Sequence, residues 1–473
     1  MSKKIGLVIG PILFIFFYSF VNFDGLSSRG IAIAASTIWI AIWWITEAIP
    51  IAVTSLLPII LFPMTGALSM KETVTAYSHP IIYLFIGGFI LALAIEKCML
   101  HKRIALNIIN QIGDSKNKII LGIMMACAFL SMWISNTATT VMMLPIGLAI
   151  VSQVKCERKD FSVAIMLSIA FSASIGGIST LIGTPPNLIL AANIQEQFQV
   201  EIGFMEWMKI GLPFAIIMLI ICWLYLTKIA FNFTDKKENY DLSIREELKS
   251  LGPMSYDEKI VGLVFIFTAL AWISRSYLQN LLPYLNDSII ALSAMFILFL
   301  LPSKRKTHKL MSWKDAEKLP WGVLLLFGGG IAIANGFSDT GLAVWLGNQL
   351  NLLKGVKLFI VLIVIIASVN FLTEITSNLA TTSVVLPILI PLALVVNVHP
   401  YILMIGATMS ASCAFMLPVA TPPNAIIFGS GLISIKDMMK IGLWLNIISI
   451  FLICILTYYL VPFVIDLSII KNI

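Results

Sequence analysis

The sequence predicts an all-α protein that crosses a membrane many times, and three observations lead to that prediction. Hydrophobic residues make up 59% of the 473 positions and charged residues only 12%, whereas soluble globular chains carry about 25% charged residues. The mean hydropathy is +0.97. The apolar runs are too long and too uniform for the alternating strands of about ten residues that form membrane barrels. The length suffices for roughly ten to twelve crossings plus shorter re-entrant segments.

The charged, cysteine and histidine residues argue against several other functions. The net charge of +7 does not indicate nucleic-acid binding, because Lys and Arg near span ends set membrane orientation. The six cysteines form no CxxC pair and the four histidines form no HExxH motif, so a catalytic zinc is not expected. The sequence holds no nucleophile–base arrangement, and we expect no enzyme activity.

The first half of the chain begins with apolar runs that predict membrane helices. Lys3 and Lys4 precede the first run and no small-residue cleavage site follows it, so we expect a retained helix and a cytoplasmic N-terminus in the cell membrane. Charged and apolar residues alternate at helical spacing over 96–111, which predicts an amphipathic helix along the interface. The spans predicted before it are residues 5–21, 30–45, 50–64 and 81–95.

Residues 118–154 differ from these spans because a polar segment interrupts them. Ser135-Asn136-Thr137-Ala138-Thr139-Thr140 lies between two apolar arms. Each arm has about fifteen residues, fewer than the roughly twenty that a crossing needs. We therefore predict a re-entrant hairpin with the polar segment at its tip. Polar backbone and side chains at membrane depth are tolerated where they line an enclosed, wet site.

The next predicted helix, residues 161–190, contains a second interruption. Gly183-Thr184-Pro185-Pro186-Asn187 lies within it, and two prolines remove two backbone donors and break the helix. A Gly/Pro break inside a span is a sequence sign of a transporter binding site. A further span is predicted at 210–231, and the polar stretch 233–259 separates the two halves.

Both interruptions recur in the second half. Ser377-Asn378-Leu379-Ala380-Thr381-Thr382 follows the first polar segment by 377 − 135 = 242 residues, and Thr421-Pro422-Pro423-Asn424 follows the first break by 421 − 184 = 237 residues. The shared order indicates a duplicated unit. Basic residues near 97–118, 236–249 and 304–309 place those regions on the cytoplasmic side of the membrane. We therefore predict an inverted repeat whose hairpin tips meet near the membrane midplane.

The polar tips have two possible roles. Hydroxyl and amide oxygens suit Na⁺, and backbone N–H groups at helix N-termini suit anions. Ser, Asn and Thr are also common helix caps, and a single copy would favour that explanation. Two copies, each paired with a Thr-Pro-Pro-Asn break, favour a ligand site that also uses capping. Neither tip holds Lys or Arg, so we expect a mobile cation to neutralise a bound anion.

Two acidic residues lie in apolar surroundings, and either could relay protons. Glu47 stands three residues before Pro50, and a structural role at a helix start is the better interpretation for it. Glu374 lies three residues before Ser377, and the sequence leaves its role open.

Several motifs resemble those of the divalent anion/sodium symporter family, whose members transport dicarboxylates, citrate or sulfate. Residues 44–50, Trp-Ile-Thr-Glu-Ala-Ile-Pro, resemble its N-terminal motif, and the two Ser-Asn tips resemble its paired Ser-Asn-Thr motifs. Ser412-x-x-Phe415-x-x-Pro418-Val419-Ala420-x-x-x-Asn424 resembles its C-terminal signature. The resemblance covers nearly the whole chain.

The resemblance implies a homodimer of protomers with about eleven transmembrane helices and two re-entrant hairpins. It also implies an elevator mechanism, in which a transport domain slides against a scaffold. The expected divisions are scaffold helices at 1–112, a first transport half at 113–232, a cytoplasmic linker at 233–259, further scaffold helices at 260–353 and a second transport half at 354–473.

The resemblance further implies two sets of binding residues. The substrate would be contacted by Ser135, Asn136, Thr137, Thr184, Pro185, Ser377, Asn378, Thr421 and Pro422. One sodium ion would be held by Ser131, Ser135, Asn136 and Gly183. A second would be held by Thr373, Thr376, Asn378 and Ala420.

The chain departs from the family pattern at Leu379, where the second motif usually has Thr. This loses a donor and argues against a larger or heavily hydroxylated ligand. Exchangers of the family often carry Arg shortly after the first motif, but this chain has Thr139 and Thr140. We therefore expect sodium-coupled uptake of C4-dicarboxylates such as succinate, malate or fumarate. The alternatives are a sodium-independent dicarboxylate exchanger and a sulfate or tricarboxylate transporter; a channel or a membrane enzyme fits the sequence less well.

Overall fold

The structure is a computed structural model, and it describes residues 3–113, 115–153, 160–233, 244–304, 309–350 and 354–465. Regular structure in these ranges is helical, apart from one isolated bridge between Pro302 and Lys309. Eight helices there have at least 18 residues and are apolar enough to cross a membrane, and shorter apolar helices accompany them. The prediction of an all-α polytopic membrane protein is confirmed.

Five helices precede the duplicated part of the chain. They largely follow the predicted apolar runs, and the polar stretch after residue 64 contains a short helix with a capping box between Ser69 and Glu72. The helices are α1 (Lys3–Phe20), α2 (Ser28–Thr46), α3 (Ile51–Thr54), α4 (Leu57–Met64) and α5 (Met70–Thr75).

The predicted span 50–64 is present as the apolar helical segment Ile51–Met64. A short turn divides it into α3 and α4, because Pro58 cannot donate the backbone hydrogen bond that would continue the helix. One expectation for this region was wrong. Glu47 ends α2 rather than starting a helix. It adopts a left-handed conformation with φ of 46°, and its side chain lies 3.4 Å from the Lys3 amine. The prediction that Glu47 has a structural role at a helix terminus is correct, but that terminus is the end of α2 and not the start of the next helix.

The first repeated unit contains seven helices. The amphipathic helix predicted over 96–111 is present as the second of them, with Leu106 and Ile109 on its buried face. The last begins before the predicted position 210 and continues into the π-helical segment Tyr225–Ala230. The helices are α6 (Pro80–Lys97), α7 (Leu100–Ile112), α8 (Lys116–Ser131), α9 (Asn136–Gln153), α10 (Asp160–Ile178), α11 (Pro185–Phe198) and α12 (Phe204–Leu224).

The segment between the repeats begins with part of the predicted linker. Positions 236, 237, 305 and 306, which carry some of the charges used for orientation, lie outside the described residues, as do 155–159. The helices are α13 (Ile244–Ser250), α14 (Tyr256–Ile273), α15 (Arg275–Leu278), α16 (Asp287–Leu300) and α17 (Trp313–Ala316).

The second repeated unit has the same seven elements in the same order, followed by one short helix. The duplication predicted from the sequence is therefore present in the fold. The helices are α18 (Trp321–Asp339), α19 (Leu342–Gln349), α20 (Leu358–Thr373), α21 (Asn378–Val395), α22 (Pro400–Ala411), α23 (Pro422–Phe428), α24 (Ile435–Tyr459) and α25 (Val461–Val464).

Each predicted hairpin is a pair of helices joined by a short turn. In the first, α8 ends at Ser131 and α9 begins at Asn136, so the polar segment opens the second helix. The Ser135 hydroxyl accepts a hydrogen bond from the Ala138 amide at 3.2 Å, which is an N-terminal cap. In the second, α20 ends at Thr373 and α21 begins at Asn378. The capping explanation therefore holds for Ser135.

Each Pro-Pro pair starts a helix instead of interrupting one. Thr184 and Thr421 both have extended backbone, and the prolines that follow occupy the first helical positions of α11 and α23. This is the conformation that a residue before proline favours. The preceding helices end earlier than predicted, at Ile178 in the first half and at Ala411 in the second.

The two halves interlock around the hairpins and the breaks. α9 packs against α23, and α21 packs against α11. The rings of Phe171 in α10 and Phe415 in the second break lie 5.2 Å apart. Each hairpin therefore rests on the helix that follows the break of the other half.

Candidate functional site

The first hairpin turn contains a compact cluster of oxygen atoms. The Ser131 hydroxyl lies 2.6 Å from Asn136 Oδ1 and 2.7 Å from the Ala173 carbonyl oxygen. Ser131 is fully buried. A hydroxyl has one proton to donate, and here two acceptors compete for it. The cluster therefore has more acceptors than donors, which suits a cation.

The second hairpin turn repeats this cluster. The Thr373 hydroxyl lies 2.8 Å from Asn378 Oδ1 and 2.9 Å from the Ala411 carbonyl oxygen. Thr373 is also fully buried. Since the sequence gives these pairs the same spacing of five residues, both halves form the same arrangement from different hydroxyl side chains.

The two asparagines use only one end of their side-chain amides in these clusters. Asn136 and Asn378 accept through Oδ1. In the described part of the chain, neither NH₂ group donates a hydrogen bond. Both residues are half-buried at the start of a helix, so each NH₂ group can serve a ligand on the accessible side.

Close backbone approach holds the first cluster together. A Cβ atom added to Gly177 would overlap Asn136 Oδ1, and one added to Gly183 would lie 2.5 Å from the Gly177 oxygen and 3.0 Å from the Ser131 oxygen. Only glycine fits at these two positions. The predicted sodium residues Ser131, Asn136 and Gly183 are thus neighbours. Ser135 instead uses its hydroxyl to cap α9.

The remaining residues predicted for the second sodium site lie around the second cluster. The Thr376 hydroxyl contacts the Thr381 hydroxyl at 2.5 Å and the Leu372 carbonyl oxygen at 2.8 Å. The Ala420 amide donates to the Leu417 carbonyl at 3.2 Å, as Gly183 does to Thr180 in the first half at 3.4 Å. Both breaks therefore have matching turns before the Thr-Pro-Pro segment.

The residues predicted to bind substrate lie at four helix N-termini. Those of the hairpin tips are half-buried or exposed, whereas Thr184 and Thr421 are buried. The Thr421 hydroxyl accepts from the Asn424 amide at 3.2 Å and so caps α23. The starting residues of the four helices are Asn136, Pro185, Asn378 and Pro422. Their first-turn N–H groups are the ones that helices leave without internal partners.

Sequence reasoning missed the structural role of the asparagine that ends each Thr-Pro-Pro-Asn segment. Asn187 Nδ2 donates to the Thr180 carbonyl at 2.7 Å and the Gly177 carbonyl at 3.2 Å. Asn424 Nδ2 donates to the carbonyls of Leu417 at 3.0 Å and Ala414 at 3.1 Å. These side-chain amides span each break and donate hydrogen bonds to carbonyl groups that are no longer bonded within a helix. The recurrence of Asn at the end of both Thr-Pro-Pro-Asn segments is the sequence signal that could have indicated this role.

Glu374 was also left unassigned by the sequence, and the structure places it beside the second cluster. Its side chain is buried at 3% exposure. It accepts hydrogen bonds from backbone amides in the second break. The other acid considered, Glu47, is half-exposed at the end of α2, where it contacts the Lys3 amine.

The composition of the hairpin turns and breaks limits the chemistry. Residues 131–140, 177–187, 370–382 and 411–424 contain no Lys, Arg or His. Among the described residues, no group of three or more His, Cys, Asp or Glu could hold a metal ion. Neutral hydroxyl, amide and carbonyl oxygens suit a hard cation such as Na⁺ rather than a transition metal.

The fold is similar to those of two solved transporters. The crystal structure of the YdaH transporter from Alcanivorax borkumensis matches with a TM-score of 0.59 and 12% identity, over 84% of this chain and 88% of that one. The structure of MtrF from Neisseria gonorrhoeae matches with a TM-score of 0.58 and 14% identity, over 96% and 94%. These likenesses concern the fold alone.

Proteins related to this chain by sequence have much higher identities than these two structures. The chain is 48% identical to a Staphylococcus saprophyticus protein named sodium-dependent dicarboxylate transporter SdcS, over 99% of this chain and 93% of that protein. It is 46% identical to the protein of the same name from Staphylococcus aureus strain USA300, over the same shares. The family described as the sodium:sulfate symporter transmembrane region matches residues 3–465. The resemblance expected from the motifs is confirmed, and the chain belongs to this family of transporters, the divalent anion/sodium symporters.

Proposed function

We propose that this protein is a sodium-coupled importer of small dianions, and that its substrates are C4-dicarboxylates such as succinate, malate and fumarate. The observation that carries the proposal is the duplicated oxygen cluster, Ser131 with Asn136 and Thr373 with Asn378. The names of the two staphylococcal relatives support the same substrate class and the same coupling ion.

Sodium is the coupling ion because the site lacks another positive charge. A dicarboxylate brings two negative charges into segments without Lys, Arg or His, and uncompensated buried charge is costly. Two cation positions would balance those charges. One would use Ser131, Ser135, Asn136 and Gly183, and the other Thr373, Thr376, Asn378 and Ala420.

The substrate binds between the two hairpin tips and the two breaks. Helix N-termini favour anions because their N–H groups and dipoles point outward. Asn136 and Asn378 contribute to both ligands, with Oδ1 toward the cation and NH₂ toward a carboxylate. The full set of substrate residues is Ser135, Asn136, Thr137, Thr184, Pro185, Ser377, Asn378, Thr421 and Pro422.

Transport follows an elevator mechanism in a homodimer. The two transport halves, 113–232 and 354–473, move as a unit against scaffold helices in 1–112 and 260–353, and 233–259 is a cytoplasmic linker. The packing of α9 on α23 and of α21 on α11 supports this division, because it ties the two transport halves together. The N-terminus lies on the cytoplasmic side of the cell membrane.

The test is uptake of labelled succinate into proteoliposomes holding the purified protein. The four conditions combine an inward Na⁺ gradient or its replacement by choline with the presence or absence of internal succinate. Uptake that needs Na⁺ and no internal succinate is the expected result. Uptake that needs internal succinate and no Na⁺ would refute coupling and identify an exchanger. Uptake of labelled sulfate or citrate with no uptake of labelled succinate would refute the substrate class.

A further inference from the structure

The two halves differ at the residue that follows each cluster hydroxyl. Position 132 is methionine, and the matching position 132 + 242 = 374 is glutamate. Both stand directly after a helix end, since α8 ends at Ser131 and α20 at Thr373. The two cation clusters are otherwise alike, so this difference bears on what distinguishes them.

Glu374 is bound by an unusual number of donors. Its Oε1 accepts from the amides of Phe415 at 2.8 Å and Met416 at 2.9 Å, and from Asn446 Nδ2 at 2.7 Å. Its Oε2 accepts from the Leu417 amide at 2.9 Å. Among the described residues it has no charged partner. These contacts fix the carboxylate and, in turn, fix the backbone of the break.

The second break needs this carboxylate because its helix ends early. In the first half α10 remains helical to Ile178, which aligns with Phe415 at a spacing of 415 − 178 = 237. In the second half α22 ends at Ala411. The N–H groups of residues 415–417 therefore have no helical acceptor, and buried N–H groups without acceptors are costly. The first half closes its break differently, with the Thr180 hydroxyl donating to the Met132 carbonyl at 2.5 Å.

The backbone segment that is hydrogen-bonded to Glu374 borders the second cluster. Leu417, which donates to the carboxylate, also accepts from the Ala420 amide. Thr373, the residue before Glu374, carries the hydroxyl that contacts Asn378 and the Ala411 carbonyl. One carboxylate thus connects both sides of the predicted second cation position.

Resting on the proposed function, we propose that Glu374 is the positioning residue of the second sodium site and supplies its fixed negative charge. It orders the unwound segment 413–417, and its buried negative charge attracts a Na⁺ ion bound nearby. The first site, with Met132, has no such charge. The second site therefore depends on Glu374 for its sodium affinity, whereas the first does not.

The test compares Glu374→Gln with wild-type protein in proteoliposomes. The glutamine keeps the shape but replaces one acceptor oxygen by NH₂ and removes the charge. We expect the Na⁺ concentration for half-maximal uptake to rise by about tenfold or more, and the KM for succinate at saturating Na⁺ to change by less than about twofold. Glu258→Gln is the matched control. Glu258 is a buried carboxylate that also accepts a backbone amide, that of Ser255 at 2.7 Å, and it lies in α14. Within the described ranges it differs from Glu374 in having a charged partner, Arg103 at 2.8 Å, so it controls for the loss of a buried carboxylate elsewhere in the fold.

Sodium-dependent thermal stability of the purified protein supplies a readout that does not need transport. Ligand binding to the folded state raises Tm. We expect Glu374→Gln to reduce the Na⁺-induced rise in Tm on a Ser131→Ala background and to have no further effect on a Thr373→Val background. If Glu374→Gln does not yield folded protein, Asn446→Ala removes one of the four donors and should raise the half-maximal Na⁺ concentration less strongly.

The outcomes separate this inference from the proposed function. Wild-type uptake that is independent of Na⁺ would overturn the proposed function itself. Sodium-dependent wild-type uptake with an unchanged Na⁺ requirement in Glu374→Gln would overturn only the role of Glu374. Equal changes in the Na⁺ requirement and the succinate KM would also overturn it, because they indicate general damage to the fold.

Discussion

The Ser131 hydroxyl lies 2.6 Å from Asn136 Oδ1. This contact joins the last residue of α8 to the first residue of α9 and so determines the geometry of the turn between them. Thr373 and Asn378 form the same contact at 2.8 Å in the other half. The residues that shape each turn are therefore the residues that would bind the ions, and a change at either asparagine affects both properties.

Replacing either asparagine by alanine should abolish transport while the protein still folds. Asn136→Ala and Asn378→Ala each remove a proposed cation ligand and the NH₂ group proposed to face the substrate. Uptake of labelled succinate by purified variants, with size-exclusion profiles as the check on folding, measures the effect. Asn107→Ala is the control, because within the described ranges the Asn107 side chain makes only a local hydrogen bond, to the Arg103 carbonyl in α7. Wild-type uptake by either site variant would remove these residues from the site.

Substituting threonine for Leu379 should alter substrate preference more than sodium dependence. Leu379 is half-buried in the first turn of α21, next to Asn378, and its Oγ-bearing replacement would add a donor where a carboxylate or hydroxyl of the substrate is expected. The measurement is inhibition of succinate uptake by malate, citrate and sulfate, together with the half-maximal Na⁺ concentration. The reciprocal variant Thr137→Leu tests the first half. An unchanged inhibition profile would mean that Leu379 does not face the substrate.

The sequence predicts the parts of the site that depend on residue type and fails where tertiary contacts decide. The Ser-Asn pairs located both hairpin turns, and the Pro-Pro pairs located both breaks, although the prolines start α11 and α23 and were predicted to interrupt a helix. The ends of α10 and α22 could not be predicted. No strong helix breaker lies directly after Ile178 or Ala411, and hydrogen bonds that backbone amides donate to the distant Glu374 stabilise the second break.

The dependence on the folded structure also explains why the sequence did not predict the roles of Glu47 and Glu374. Glu47 lies near a proline, which suggested a helix start, but its left-handed conformation ends α2. Nothing in its local sequence specifies that conformation, which is uncommon for residues other than glycine. Glu374 has hydrogen-bond partners 41 to 72 positions away in the sequence. Only the folded break shows why an acid stands there.

Introducing a methyl group at Gly177 should disrupt the first cation position. The new Cβ would overlap Asn136 Oδ1, and the well-packed interior gives little room for relief. We expect Gly177→Ala to lower sodium-dependent uptake by about tenfold or more. The control is Gly262→Ala in α14, where the nearest atom to the new Cβ is Leu100 Cδ2 at 3.5 Å. That change should leave uptake intact and favour the helix. Equal uptake by the two variants would argue against close packing at Asn136.

Removing the side-chain amide that bridges each break should lower the thermal stability of the protein and leave its substrate selectivity unchanged. Asn187→Ala removes the side-chain donor to the Gly177 carbonyl and leaves the Thr180 carbonyl with the longer hydrogen bond from the Gly183 amide at 3.4 Å, and a buried polar group without a partner costs about 1–3 kcal/mol. Thermal unfolding in detergent should therefore show a lower Tm. Asn424→Ala should behave alike, because the Ala414 carbonyl loses the Asn424 donor and the Leu417 carbonyl is left with the Ala420 amide as its donor. The relative inhibition of residual uptake by malate and sulfate should stay as in the wild type. A normal Tm with an altered inhibition profile would instead place these amides in contact with the substrate, since a bridging role predicts the opposite pair of results.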